Sequence, residues 1–426
     1  MNVIKGNKEN DKILSILIGM IGISIPYSQV FNTACIGLLF IYSFKYFDKT
    51  HFITEFKKHS IAMLFLLYYF ILIFGILISD DTESAIDYVV RDVVFLVFPL
   101  IFVNLSEVIS KKTTAFGVLG LVIGVTINLI VIHYRIIGRV WANALPLRSL
   151  LTKFVRVSFV EEGIVAIHPP YFGLLVVFSM VYVLYVDTNS KNLFLKGIRV
   201  ITILYFLIAL YGISSFMSLV LVGILFILYI LHLVISKDIK TLIYLLCGCI
   251  FVTIIIINTN YRKALSTFPG ESLIGRIEWS FNKGKGDTSR PDNWRSVIQV
   301  IKDNPVFGVG SDGGIDQLQE YREESSEAFR DRHNAHNNYL EIFLRHGIIG
   351  IIMYILILYN LIQVAMKAKD KFYSHFILIF LIVSLTESYF VRQIGVVFFT
   401  FYATLFYTFY RNNILEKIDN EKSIST

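Results

Sequence analysis

Apolar runs of about 20 residues, the length that crosses the hydrocarbon core of a bilayer, recur from one end of this chain to the other, and they limit its fold more than any other feature. They fall at 13–26, 29–47, 60–79, 88–105, 114–134, 168–187, 197–213, 216–236, 240–258, 347–366, 372–390 and 394–411. Pro26 and Gln29 leave the first two short. Hydrophobic residues make up 55% of the chain and charged ones 17%, against roughly 25% charged in soluble domains, so a soluble globular protein is excluded. The expected fold class is all-α: a polytopic membrane protein of about twelve transmembrane helices with one large helical loop. Lys5, Lys8 and Lys12 precede the first run without a small-residue cleavage site, which points to an uncleaved first helix.

The net charge of +7 reads first as topology rather than as affinity for nucleic acid. With the N-terminus in the cytoplasm, the inside loops carry Lys45, Lys49, Lys57 and Lys58, then Lys111 and Lys112, then Lys191, Lys196 and Arg199. Lys237, Lys240, Lys367, Lys369, Lys371, Arg411 and Lys417 complete that set, while Asp80, Asp81, Glu83 and Asp87 fall outside. The resulting organisation has helices one to nine in residues 1–258, an external loop at 259–346, helices ten to twelve in 347–411 and a cytoplasmic tail at 412–426. One external segment, 135–167, opposes the charge rule with Arg135, Arg139, Arg148, Lys153 and Arg156. Snorkelling on a surface helix explains such a cluster blandly; an anion site on the outer face explains it better. Cys35, Cys247 and Cys249 all lie in apolar runs, which leaves no cysteine framework for the loop.

Residues 259–346 are the one long polar interval, and loops longer than about 15 residues are uncommon and usually functional. Ser289-Arg290-Pro291-Asp292 reads as a helix start. Trp294, Val297, Ile298 and Ile301 form an apolar stripe at helical spacing, and Asn304-Pro305 ends it. The sequence Gly308-Val309-Gly310-Ser311-Asp312-Gly313 is a literal G-x-G-x-x-G, but no strand precedes it, so a tight turn is expected rather than a dinucleotide site. Asp316–Arg332 reads as a solvated, helical, charged run. His333 and His336 follow at a spacing that suits one helix face. A metal site would need ligands from Asp331, Glu341 or His346, and a base or hydrogen-bond role is preferred, with no metal expected. A helix break is expected at Gly347. Arg91-Asp92, and Glu387 with Arg392, are costly in lipid and are expected to be paired.

The order Arg290-(x)3-Trp294, Asn304-Pro305-x-x-Gly308-x-Gly310, His336-Asn337-x-Tyr339-Leu340 and Gly347-Ile348-Ile349-Gly350 resembles the O-antigen ligase and polymerase superfamily of bacterial membrane glycosyltransferases. His168-Pro169-Pro170-Tyr171 is a weaker likeness. The resemblance departs at Ser214-Ser215-Phe216, where the family commonly carries a Ser-Arg pair. It implies transfer of a glycan from a polyprenyl-diphosphate carrier to a sugar hydroxyl at the periplasmic face of the inner membrane. A ligase takes lipid A-core as acceptor, and a repeat-unit polymerase takes a second carrier-linked glycan.

On that reading the donor is already activated and no nucleotide or other cofactor is implied. The diphosphate needs arginines, whose planar forks pair with phosphate oxygens. Arg290 is the first choice, with Arg156, Arg135, Arg139, Arg276 and Arg295 as further candidates. The acceptor hydroxyl needs a base, for which His336 is the best match. His333, His168, Tyr171 and Asn337 are secondary candidates. Asp80-Asp81 is an alternative carboxylate base, though an acidic outer loop explains it more simply. A lipid-glycan transporter also has about twelve helices, but places its long connection midway and inside. A scaffold without chemistry leaves the clustered His and Arg unexplained.

Overall fold

The computed structural model describes residues 11–147, 149–152, 154–185, 192–235 and 290–425. The expected ninth helix at 240–258, Arg148, Lys153, Cys247, Cys249, Arg276 and the first part of the long loop lie outside the described residues. In chain order the helices are α1 (Lys12–Ser24), α2 (Gln29–Ser43), α3 (Lys49–Lys58), α4 (Ser60–Ile76), α5 (Thr82–Arg91), α6 (Val94–Asn104) and α7 (Lys111–Ala142). Then come α8 (Ser149–Thr152), α9 (Val157–Glu161), α10 (Pro169–Tyr185), α11 (Leu193–Ile213) and α12 (Phe216–Ile235). The remainder are α13 (Arg290–Asp303), α14 (Ile315–Glu320), α15 (Glu327–Arg330), α16 (Asn338–Ala368), α17 (Lys371–Val383) and α18 (Gln393–Ser425). Short 3-10 turns sit at Phe44–Tyr46, Ser106–Val108 and Tyr389–Val391. Among the described residues there is no strand, and the all-α class holds.

Among the described residues, four stretches are long and apolar enough to cross a membrane: α7, Phe194–Ile213 in α11, α16, and Gln393–Leu415 in α18. The pair Gln29–Tyr46 and Lys49–Lys58, bent by 114°, makes a fifth if it is one span. Helix α1, helix α4, helix α10, the Phe216–Leu231 part of α12 and helix α17 are apolar but shorter, at 10–17 residues. The expected 88–105 span divides into α5 and α6 at Asp92 and Val93. The division follows from composition, because Glu83, Asp87 and Arg91 make α5 amphipathic while α6 is almost wholly apolar.

The chain forms two compact units, Met1–Gly124 with Gly286–Thr426, and Val125–Lys285. In the first, α4 packs on α16 and α6, and α18 packs on α6 and α16. Phe65, Phe95, Phe98, Phe390, Phe399 and Phe401 are almost fully buried between them. Phe380 stacks on Phe399 at 4.3 Å between ring centroids. Such offset pairs add about 0.5–1.5 kcal/mol beyond burial. Helix α1 crosses α7 at small residues; a Cβ on Gly22 would stand 2.1 Å from the Gly117 carbonyl oxygen. Backbones approach that closely only where glycine allows it. In the second unit, α10 packs on α11 and α12, and Asn128 Oδ1 accepts from the Ile164 N–H at 2.9 Å.

The described part of the long loop is folded against the start of α16 and has its own small core of Val297, Val300, Ile301, Val309, Leu318, Ala335 and Leu344. Two expectations are corrected here. The buried stripe of α13 runs through Val300 rather than Ile298, which is 41% exposed, because the face that meets α16 is rotated from the one the apolar spacing suggests. The Asp316–Arg332 run is not one solvated helix: it holds α14 and α15, and Arg322 between them is buried. Its guanidinium donates to Asn293 Oδ1 (2.7 Å) and to the His333 carbonyl (2.6 Å). Burial lowers its pKa to about 10.

Candidate functional site

The N-terminus of α16 is fixed by Asn337, whose side-chain oxygen accepts from the Tyr339 and Leu340 N–H groups at 3.0 Å each. This satisfies two of the donors that every helix start leaves open. The same end is tied to the turn between α17 and α18. The Asn337 N–H donates to Ser388 Oγ (3.1 Å), and the Asn338 N–H to the Ser384 carbonyl (2.8 Å). The metal-style reading of His333 and His336 on one helix face is therefore corrected: both precede α16, and neither is helical. Their rings nevertheless meet edge-to-face with centroids 5.1 Å apart.

Ten residues further on, Gly347 breaks the helix at φ 59° and ψ −159°. Val306 and Phe307 occupy the break, and a Cβ on Gly347 would lie 2.2 Å from the Val306 oxygen. The glycine-rich segment continues as a tight plug against α4 and α16. Val309 N–H donates to the Leu344 carbonyl and Gly310 N–H to the Arg345 carbonyl, both at 2.9 Å. Ser311 Oγ donates to the Leu72 carbonyl at 2.7 Å. Gly310 has φ 104°, and a Cβ there would stand 2.3 Å from Ser79 Oγ. The G-x-G-x-x-G stretch is a turn, as its context required.

Around this plug lies a hydrogen-bonded charge network. Glu341 accepts from Arg345 Nε (2.7 Å), from the Ala335 N–H (2.9 Å) and from Ser388 Oγ (3.3 Å). Arg345 also donates to the Ser311 carbonyl. The Tyr88 ring is flanked by two guanidinium groups, Arg91 at 4.2 Å and Arg345 at 4.1 Å. Arg91 bonds Asp92 at 2.7 Å and the Phe390 carbonyl at 2.7 Å, so the expected Arg91–Asp92 pair is present. Asp81 is a helix cap. Its carboxylate accepts from the Ser84 hydroxyl (2.6 Å) and N–H (3.1 Å), and these bonds hold its pKa below the usual carboxylate value. That suits a cap and does not suit a base. Asp80 accepts from Gln317 Nε2 at 2.8 Å.

His336 sits beside this network with a left-handed backbone (φ 45°). Its Nδ1 is 3.2 Å from Glu387 Oε2, with the imidazole 24% exposed and the carboxylate 7%. Glu387, an expected ion-pair member, thus has this imidazole as a neighbour. The first turn of α13 is pinned nearby, with Trp294 Nε1 donating to the Ala335 carbonyl at 2.9 Å and Asn293 Nδ2 to the Asn334 carbonyl at 2.8 Å. Arg290, the first residue of α13, thus belongs to the helical turn that abuts the residues flanking His336. Arg295 is on the exposed side of the same helix. About 13 Å along α16 from its cap, His346 lines an apolar cleft of about 390 Å³ with Leu67, Phe70, Phe74, Phe307 and Met353. Both of its ring nitrogens are buried with no hydrogen-bond partner among the described residues.

The other candidates lie in the second unit. Arg135 donates to the Glu162 and Gly163 carbonyls at 3.1 and 2.7 Å, and Arg139 pairs with Glu162 at 2.8 Å. Arg156 has φ 58°, and its N–H donates to the Gly212 carbonyl at 2.7 Å. This sets Arg156 beside the α11–α12 turn, where Ser214 is left-handed at φ 47° and the sequence lacks the expected arginine. His168 is exposed just before α10, with its ring against that of buried Tyr171. Arg276 lies outside the described residues. Sequence reasoning weighed Glu341 only as a metal ligand and did not single out Arg345; the Glu341–Arg345 spacing of four on an apolar helix was the available signal.

Fold and site define a multi-pass helical membrane protein with a buried charge network and a partly exposed histidine at one end of its first unit. Residues 170–355 match the family described as O-antigen ligase, so this part of the chain is similar to that family. A Haemophilus influenzae protein described only as uncharacterized is 27% identical over 351 residues, covering 78% of this chain and 77% of its own length.

Proposed function

We propose that this protein is a glycosyltransferase of the bacterial inner membrane, which moves a glycan from a polyprenyl-diphosphate carrier to a sugar hydroxyl on the periplasmic face. The acceptor we favour is lipid A-core, which makes the protein an O-antigen ligase. The observation that carries the reading is the meeting of His336 with the first turn of α13: Trp294 bonds Ala335, the neighbour of His336, at 2.9 Å. Arg290 begins the same helix four residues before Trp294, which supports reading it with His336 as one site.

In the reaction, the acceptor oxygen bonds to the anomeric carbon as the bond from that carbon to the carrier's diphosphate breaks. The hydroxyl proton passes to His336, and the diphosphate leaves with the bonding electrons. General-base help of this kind supplies about 10²–10⁴-fold. Arg290 steadies the departing charge, where preorganised cations are worth most in a partly desolvated site. Arg295, on the same helix as Arg290, is a further candidate contact for the diphosphate; Arg156, Arg135, Arg139 and Arg276 are candidates by their charge alone. The cleft between α4 and α16, lined almost wholly by carbon, suits the carrier's hydrocarbon chain.

The test is reconstitution in proteoliposomes with a polyprenyl-diphosphate glycan and either lipid A-core or a second carrier-linked glycan. A single glycan added to lipid A-core supports the ligase. Lengthened carrier-linked chains support a repeat-unit polymerase. No product with either acceptor overturns both and favours a lipid-glycan transporter.

A further inference from the structure

We infer that Glu387 is the positioning residue for His336, fixing its tautomer so that Nε2 faces the acceptor hydroxyl as a base. This rests on the glycosyl-transfer reading above. An ionised carboxylate only accepts hydrogen bonds. With Glu387 ionised and its Oε2 3.2 Å from His336 Nδ1, Nδ1 carries the hydrogen and Nε2 keeps the lone pair. Nε2 makes no hydrogen bond to the described residues, and the ring is 24% exposed, so that lone pair is open to a substrate.

The dyad is built from two separate pieces of chain, and both are clamped. On the histidine side, the Ala335 N–H is held by Glu341 and the His336 N–H by Asn334 Oδ1, each at 2.9 Å. On the carboxylate side, Ser388 Oγ donates to the same Glu341 at 3.3 Å and accepts the Asn337 N–H at 3.1 Å. One buried acid therefore sets the register of both partners. The His333 ring packs nearly perpendicular to that of His336, with centroids 5.1 Å apart. A carboxylate also favours the imidazolium that forms when the proton arrives, the role that the third member of a nucleophile–base–orienter set plays elsewhere. Glu387 itself touches neither reacting atom.

Glu387→Gln keeps the shape and removes the charge, and its amide can donate to Nδ1 and select the wrong tautomer. In proteoliposomes the expected result is a kcat lowered at least about tenfold, with KM for the carrier-linked donor within about twofold. Glu387→Asp should recover part of the kcat. Adding Glu387→Gln to His336→Ala should cost nothing further. A KM change that matches the kcat change, or additive losses in the double variant, overturns the inference. An independent reading comes from the 15N spectrum of histidine-labelled protein in liposomes, with the His336 signals assigned by their loss in His336→Ala. The wild type should show Nδ1 protonated and Nε2 bare, and Glu387→Gln should disturb that pattern. Nε2 protonated in the wild type overturns the positioning role even if transfer is real. The expected tautomer in a protein that transfers to neither acceptor supports the dyad and overturns the transfer reading alone.

Discussion

At the scale of single residues, His336 and Glu341 have different tasks, and their variants should separate. His336→Ala removes a partly exposed side chain whose contacts are the bond to Glu387 and the ring of His333. It should lower transfer in proteoliposomes by about 10²–10⁴-fold with little loss of thermal stability; near-normal turnover would remove the base assignment. His333→Ala should be milder, because its ring packs against His336 without being the proposed base, and a loss equal to that of His336→Ala would point to a paired role instead. Glu341→Ala is the opposite case. It strands Arg345 in a site where both side chains are nearly inaccessible, 6% and 2%. Breaking a buried pair from one side costs about 3–5 kcal/mol, so the unfolding midpoint in detergent should fall markedly.

At the scale of elements, the glycine plug and the break in α16 act as one joint. The loop carbonyls and N–H groups that would otherwise be orphaned at Gly347 are taken up by Pro305–Ser311: Ile348 N–H donates to the Pro305 carbonyl at 2.9 Å, and Gly310 N–H to the Arg345 carbonyl. Gly347→Ala adds a Cβ 2.2 Å from a backbone oxygen at a left-handed position, where strain alone costs about 1–3 kcal/mol. The expected outcome is release of the Asn304–Gly314 segment, seen as faster proteolysis there than in the wild type. Unchanged cleavage would mean that the loop is held elsewhere. An exposed change such as Arg295→Ala should leave the cleavage pattern intact and, if that residue contacts the diphosphate, alter only KM for the donor.

At the scale of the whole molecule, we propose from the charge pattern that both termini are cytoplasmic and the 259–346 loop is external. Impermeant thiol labelling of single cysteines at Asp80 and at Lys369 in whole cells tests this, with Asp80→Cys labelled and Lys369→Cys protected. The reverse pattern would invert the topology. Much of this scale was legible in the residues themselves. Apolar length and the absence of strand pattern determined an all-helical membrane chain, Asn304-Pro305 and Gly347 marked real helix ends, and the glycine run was a turn because no strand preceded it. Local chemistry was enough for those, since caps, proline and glycine act through their immediate backbone. The site was legible only in outline. Motif order pointed to Arg290 and His336, but nothing in one dimension says that Glu387, 51 residues beyond His336, lies 3.2 Å from its ring, or that Tyr88 sits between Arg91 and Arg345. Those pairings depend on which helix ends share one end of a bundle and on which buried charges must find partners there. Hydropathy fixes that a segment is buried; only packing in three dimensions decides against what.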